Sequence, residues 1–326
     1  MPYDVVCLRP EADFTRAGVT PPVELRIVYR APDAADLPAL MAEARALLIP
    51  AVGPALPAAL FENSTVKFVQ ITGAGVDRLD EAAMKKLGVA VANVPGGSNA
   101  AVSEYAVTAA AALLRRFAWS DREIKAGDYA AVRARMVADN LAGLQGLTVG
   151  VVGAGVVGTA VAQAFHRAGA QVAFFDPAPR DAAALAAIGA KSLAFDELLR
   201  TCDVVTLHVP LLPATQNLLD AKRLALMKAD AILVNASRGG VVDEAALVAQ
   251  LAAGKLGGAA VDVFSTEPPA AGNPLLNAPA EAASRLLLTP HIAGVTRQAS
   301  TFLFQAACDN IKRVAADHQP PLNRVY

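Results

Sequence analysis

Short apolar runs recur through the first part of the chain, at Val5–Leu8, Leu25–Tyr29, Ala46–Ile49, Lys67–Ile71 and Val89–Asn93. Helix-like stretches such as Asp36–Arg45 and Leu79–Leu87 separate several of them. Runs that are apolar on both faces and alternate with helices predict a parallel sheet covered on both sides, because a strand with one wet face would alternate apolar and polar residues. Asp77 is read as the N-cap of the helix beginning near Leu79. Gly96, Gly97, Ser98 and Asn99 then interrupt the pattern and supply cap chemistry for the next helix, which marks a domain boundary.

In that helix Val102, Ala106, Ala109, Leu113 and Phe117 follow one another in steps of three and four, so they share one face. Unbroken to Ala126, the helix would be about 40 Å long. A second series of apolar runs follows at Thr148–Val152, Gln171–Phe175, Val204–Val209, Ala231–Val234, Gly258–Val261 and Leu286–Thr289. With helical segments between them they predict a second doubly wound sheet. A last helix, Thr296 to Ala316, ends before Pro320 and Pro321.

The chain has 326 residues, which fits about two domains. Its 29 Lys and Arg against 30 Asp and Glu leave a net charge of −1, so no positive field is available to hold nucleic acid or an anionic membrane. The longest apolar run, Tyr105 to Leu114, stops at Arg115 and Arg116, short of the roughly 18 residues a membrane span requires. The N-terminus lacks the basic-then-apolar pattern of a secretory signal. Cys7, Cys202 and Cys308 are too few and too scattered for a disulfide framework or a cysteine-rich metal site. A reducing cytoplasmic compartment is expected, and no metal.

Candidate chemistry enters with Gly153, Gly155 and Gly158, which form G-A-G-V-V-G directly after a predicted strand and open a helix. The first glycine permits the tight turn, the second lets a pyrophosphate approach the backbone, and the third lets helix and strand pack closely. Asp176 ends the next strand, where a carboxylate can bind both hydroxyls of an adenine ribose. That carboxylate would repel a 2′-phosphate, so NAD (NADH) is expected rather than NADP. Arg180 lies four residues on, with Pro177 and Pro179 between, and is read as a solvated arginine. Of the four histidines, His166 lies within a helix and His318 in the tail. His208 and His291 lie at the carboxyl ends of strands, the edge where open α/β sheets bind ligands. His291, between Pro290 and Ile292-Ala293-Gly294, is the better proton carrier for a carbonyl/alcohol reaction. Glu267 in a proline-bounded loop is a carboxylate that favours the charged imidazole. Arg238 at another strand end can clamp a substrate carboxylate and polarise its carbonyl. The plain alternative is an Arg238–Glu267 structural ion pair beside a packed strand-end histidine.

Seven ordered segments carry a resemblance: T-G-A-G-V-D (72–77), N-A-A-V-S-E (99–104), G-A-G-V-V-G (153–158), H-V-P-L-L-P-A-T (208–215), N-A-S-R-G-G-V-V-D-E (235–244), A-A-V-D-V-F-S-T-E-P-P (259–269) and T-P-H-I-A-G (289–294). In them the chain resembles the D-isomer-specific 2-hydroxyacid dehydrogenases, of the phosphoglycerate dehydrogenase type. The resemblance implies a Rossmann NAD-binding domain over residues 99–294. It also implies a flavodoxin-like substrate-binding domain over 1–98 plus 295–326, with the active site between the two. It implies that Arg238 binds the substrate carboxylate and keto oxygen, that His291 exchanges the proton, and that Glu267 pairs with His291. Backbone at Ala74, Gly75 and Val76 is implied to bind the carboxylate. The implied cofactor contacts are the three glycines with Val156 and Val157, then Asp176, His208, Val209, Pro210, Thr215, Ala236, Ser237, Asp262, Ala293 and Gly294. Members pair through the nucleotide domain, so a homodimer is expected. The family's tryptophan shortly before the first nucleotide-domain strand is missing. Arg133 and Arg135 in that stretch are either solvated or reach a neighbour's cleft. With the chain stopping at Tyr326, the regulatory domain of long phosphoglycerate dehydrogenases is not expected. The reading is reduction of a small 2-oxo acid to a D-2-hydroxy acid. The alternatives are a formate- or phosphite-type dehydrogenase of the same fold and an NAD-sensing, corepressor-like binding protein.

Overall fold

The computed structural model describes residues 3–178 and 183–326. The chain divides into two compact units, Met1–Ser98 with Val295–Tyr326, and Asn99–Gly294. In the first unit, β1 (Val5–Cys7), β2 (Ile27–Tyr29), β3 (Ala46–Ile49), β4 (Phe68–Ile71) and β5 (Ala90–Ala92) form a parallel sheet in the order β2-β1-β3-β4-β5. This is the flavodoxin-type doubly wound order. Successive strand residues point to opposite faces, and both faces are filled. Val6, Leu47, Val69 and Ile71 pack with Met41, Phe61 and Met84 on one side. Val5, Cys7, Ala46, Leu48 and Phe68 pack with Phe304, Ala307, Cys308 and Ile311 on the other. The last four belong to the helix Arg297–Ala315, capped by Thr296, whose hydroxyl accepts from Ala299 N at 3.1 Å. The end of the chain pairs antiparallel along β5, with Val91 N donating to Tyr326 O and Val325 N to Val91 O, both at 2.8 Å. That covers an edge otherwise open to pairing. The helix expected to start near Leu79 runs Glu81–Leu87, and its cap is Asp80, not Asp77: the Asp80 carboxylate accepts from Ala83 N at 2.8 Å.

The second unit holds β6 (Thr148–Val152), β7 (Gln171–Phe175), β8 (Lys191–Ser192), β9 (Val204–Leu207), β10 (Ile232–Asn235), β11 (Gly258–Val261) and β12 (Leu286–Leu288). They form one parallel sheet in the order β12-β11-β10-β9-β6-β7-β8. Counted from β6 this is the Rossmann order 3-2-1-4-5-6 with a seventh strand at one edge, and the winding reverses between β6 and β9. The two-residue β8 has no apolar run to announce it, since Lys191 and Ser192 are both exposed. The helix after residue 98 is not continuous to Ala126. It runs Asn99–Leu114, then Arg116 takes a left-handed conformation at φ 51, and separate helices Phe117–Lys125 and Tyr129–Ala138 follow. Val102, Ala106 and Ala109 pack on Val149 and Val151 of β6 and on Val161 and Phe165 of the helix Val156–Arg167, with Leu113 against the same cluster. Phe117, past the break, is 55% exposed and leaves that face. Among the described residues no helix is long and apolar enough to cross a membrane.

Candidate active site and nucleotide cradle

The carboxyl ends of β6 to β12 carry most of the expected cofactor and catalytic residues. Gly153 follows β6 at φ +93, and a side chain there would press on the His208 carbonyl oxygen and come within 2.9 Å of Val209 Cγ1. A side chain on Gly158 would meet the Gly153 carbonyl, which is the close helix-to-turn packing the motif requires. At Gly155 nothing lies within 4 Å of a Cβ position. Gly155 is also the N-cap of Val156–Arg167, and no side chain caps that helix end. Its first amides, at Val156 and beyond, therefore suit an anion such as a pyrophosphate. Asp176 follows β7 and accepts from Ala154 N at 2.8 Å and Ala178 N at 2.9 Å, so its carboxylate ties the strand end to the glycine turn. This donor and acceptor set fits a dinucleotide. Arg180 and Pro179 lie outside the described residues.

On the other side of the switch point, His208 follows β9. Burial pushes its imidazole down to about 4, so it stays neutral near pH 7, and Nε2 lies 2.9 Å from Thr206 Oγ1. Val209 packs on the core, while Pro210 begins a turn that Thr215 closes, its hydroxyl donating to Pro210 O at 2.6 Å and accepting from Leu212 N at 2.8 Å. After β10, Ser237 is buried and donates its hydroxyl to Asn235 Oδ1 at 2.8 Å, next to Ala236. The half-buried Arg238 donates from Nη1 to Ser237 O at 2.8 Å, and its own carbonyl accepts from Asn235 Nδ2 at 3.2 Å. Gly239 lets this loop lie against the next one: a side chain there would collide with Phe264 O and come within 2.6 Å of Ser265 N.

The loop after β11 carries Glu267. Its Oε1 accepts from Phe264 N at 3.0 Å, and its Oε2 lies 2.7 Å from His291 Nδ1. An ionised carboxylate can only accept, so Nδ1 carries the proton and Nε2 is the nitrogen left to exchange one. His291 sits in a left-handed turn at φ 55, a conformation that costs a non-glycine residue about 1–2 kcal/mol and persists where its surroundings over-determine it. Asp262 does so here. It is fully buried, its carbonyl accepts from His291 N at 2.7 Å, and its carboxylate accepts from Ile292 N at 2.9 Å and Ala293 N at 2.8 Å, just before Gly294. In the first unit, Ala74, Gly75 and Val76 lie on the loop after β4, where Ala74 O accepts from Asn93 Nδ2 at 2.7 Å.

Sequence reasoning gave no role to two residues that shape these loops. Glu244 accepts from Ser265 N at 2.7 Å, Ser265 Oγ at 3.0 Å and Asn273 Nδ2 at 2.7 Å, anchoring the Glu267 loop to the start of the helix Glu244–Ala252. Thr289 donates to Asp262 Oδ1 at 2.6 Å. Both lie in the quoted segments, but a hydrogen bond across 21 or 27 residues leaves no mark on local spacing. His166 and His318 are exposed. Arg135 stacks on Trp119 at 5.1 Å, with Asp139 Oδ2 3.8 Å from its Nε, and Arg133 is exposed.

The family model for the D-isomer specific 2-hydroxyacid dehydrogenase NAD binding domain matches residues 107–293. The chain is 36% identical over 250 residues to a D-3-phosphoglycerate dehydrogenase of Archaeoglobus fulgidus, a match covering 77% of this chain and 45% of that protein. It is 34% identical over 252 residues to a glycerate dehydrogenase of Methylorubrum extorquens, covering 77% of this chain and 76% of that one. The chain thus spans less than half of the first relative and about three quarters of the second. The solved structure of an NAD-dependent formate dehydrogenase from Staphylococcus aureus in complex with NAD is similar over 99% of both chains, with a TM-score of 0.83 at 26% identity. A Rossmann sheet with a glycine cradle and a histidine–carboxylate pair at its carboxyl edge is joined by a family match over more than half the residues, and the chain belongs to the D-isomer-specific 2-hydroxyacid dehydrogenases.

Proposed function

We propose that this protein is an NAD-dependent oxidoreductase that interconverts small 2-oxo acids and D-2-hydroxy acids. The observation that carries the reading is the 2.7 Å pairing of His291 Nδ1 with Glu267 Oε2 at the carboxyl edge of the nucleotide-fold sheet. NADH, held by the Gly153–Gly158 turn and Asp176, supplies the hydride. Arg238 clamps the substrate carboxylate and polarises the keto oxygen, because a planar guanidinium presents two parallel donors. His291 delivers a proton from Nε2 to that oxygen, and Glu267, 2.7 Å from Nδ1, holds the imidazole oriented. Backbone at Ala74, Gly75 and Val76 is assigned to the substrate carboxylate. Asp176 favours NAD over NADP, since a 2′-phosphate would meet its charge.

Oxidation of formate removes a hydride and leaves carbon dioxide without a proton at the reacting oxygen, so a histidine–carboxylate pair favours the 2-oxo acid reading. Two copies are proposed to pair through the nucleotide unit. Phe117, Tyr129 and Val137, on its exposed helices, are 55%, 62% and 66% accessible and provide apolar surface for such a contact. The three cysteines are free and buried, which accords with a reducing cytoplasmic setting. The test is NADH absorbance with a panel of glyoxylate, pyruvate, hydroxypyruvate and its phosphate ester. Turnover on at least one, abolished by His291→Ala with little change in NADH affinity, is the expected result. Absence of turnover on every 2-oxo acid in the presence of tight NADH binding would favour the NAD-sensing alternative.

A further inference from the structure

Tyr105 is a half-buried phenol on the helix Asn99–Leu114 that the proposed chemistry leaves unused. Its hydroxyl oxygen lies 2.7 Å from Thr289 Oγ1, which in turn lies 2.6 Å from Asp262 Oδ1. The direction of these bonds follows from counting protons. Asp262 accepts backbone amides at both carboxylate oxygens, from Ile292 at one and Ala293 at the other, as an ionised carboxylate does. Thr289 has one hydroxyl proton and gives it to Asp262, so Tyr105 must donate to Thr289. Burial pushes the Tyr105 phenol up to about 12; the Thr289 bond lowers it and the Asp262 charge raises it, and the proton needed for donation stays on the ring oxygen. Asp262 also accepts His291 N through its carbonyl, so the left-handed turn that presents the imidazole hangs from this one buried residue.

We propose that Tyr105 is a positioning residue for the proton-exchanging turn. By donating to Thr289 it fixes the hydroxyl that orients the Asp262 carboxylate, and through it the backbone of residues 291–293. The inference rests on the reading of His291 as the proton carrier. It extends the reaction's support from the strand-end loops to a helix whose Val102, Ala106, Ala109 and Ala110 pack in the apolar core. Without the phenol hydroxyl, Thr289 keeps an unmet acceptor and its hydroxyl is free to rotate away from Asp262. A proton carrier displaced by a fraction of an ångström loses rate in the transition state and leaves ground-state binding little changed.

The experiment compares wild type with Tyr105→Phe, Thr289→Val, Thr289→Ser, the double variant Tyr105→Phe/Thr289→Val, and His291→Ala. It uses the full chain, NADH and the 2-oxo acid with the fastest turnover. Tyr105→Phe is expected to lower kcat about fivefold, the scale of one hydrogen bond, with the KM of the 2-oxo acid and the Kd of NADH within about twofold of wild type. Thr289→Val should cost at least as much, while Thr289→Ser, which keeps the hydroxyl, should recover most of the rate. The double variant should be no slower than Thr289→Val alone, because Tyr105 acts through Thr289. A purely packing role would lower Tm and leave kcat unchanged. A Tyr105→Phe enzyme with wild-type kcat, or losses that multiply in the double variant, would overturn the proposal while an inactive His291→Ala left the functional reading standing. A His291→Ala variant with wild-type turnover would overturn both.

Discussion

Gly239→Ala tests whether the loops carrying Arg238 and Glu267 act as one packed unit. A methyl at residue 239 would lie 2.6 Å from Ser265 N and nearer still to Phe264 O, against an ordinary contact distance of 3.4–4 Å. Both atoms are backbone, so no side chain can turn aside to relieve the overlap. From 1.8 Å at Phe264 O to ordinary contact the two loops must separate by about 1.6 Å, and a displacement of about 1 Å already costs on the order of 100-fold in rate when it moves catalytic groups. Phe264 N is also the donor to Glu267 Oε1, so the shift is transmitted to the carboxylate that holds His291. The overlap should destabilise the fold by about 1–3 kcal/mol, less than the stability of a typical domain, so the variant should remain folded at 25 °C. Steady-state kinetics with the best 2-oxo acid should give a kcat/KM about 100-fold below wild type. A Gly239→Ala enzyme with kcat/KM within threefold of wild type would refute the argument that these loops are rigidly coupled.

Asp176→Ala should reduce the kcat/KM ratio of NADH to NADPH by about tenfold or more, since it removes both the ribose acceptor and the charge opposing a 2′-phosphate; an unchanged ratio would count against that role. His208 has a folded-state value of about 4 against an ordinary 6.5, so the unfolded chain binds its proton first as pH falls. The stability this neutral imidazole confers is complete above pH 6.5 and is lost towards pH 4, by up to about 3 kcal/mol. Urea unfolding should show the gap between wild type and His208→Gln shrinking across that window, and a gap independent of pH would refute the assignment. Leu113 packs on the unit's own core, where its Cδ2 lies 3.3 Å from a Cβ position at Gly258. Leu113→Glu should therefore destabilise the fold itself by about 2–4 kcal/mol in urea, and a variant of unchanged stability and halved mass in light scattering would assign that face to a subunit contact instead.

Periodicity and apolar runs were enough to announce eleven of the strands, because a strand buried on both faces must be apolar at nearly every position. Glycine, with no side chain, is the residue a tight turn and a close backbone approach demand, so G-A-G-V-V-G after β6 was legible as a cradle. His291 and Arg238 were singled out from their places at strand ends and Glu267 from its proline-bounded loop. Lys191–Ser192 in β8 was not, since two exposed polar residues leave no pattern and join the sheet only because β7 offers an unpaired edge. The long helix was overextended for a related reason: apolar residues continue past Leu114, but the core they would face stops there, and Arg116 turns left-handed where burial no longer rewards helical continuation.

Local composition thus determined what each segment is, for side-chain period, turn chemistry and charge act over a few residues. Tertiary structure decided which segments meet. The parallel pairing of β7 beside β6 brings Asp176 to the glycine turn on one side of the switch point. Beyond it, the loops after β10 and β11 lie against each other at Gly239 and Phe264. The carboxylates of Asp262 and Glu267, with the carbonyl of Asp262, then fix one histidine turn through bonds that span 24 to 31 residues. Such bonds depend on directions and distances that exist only once the sheet has formed, so no spacing along the chain records them.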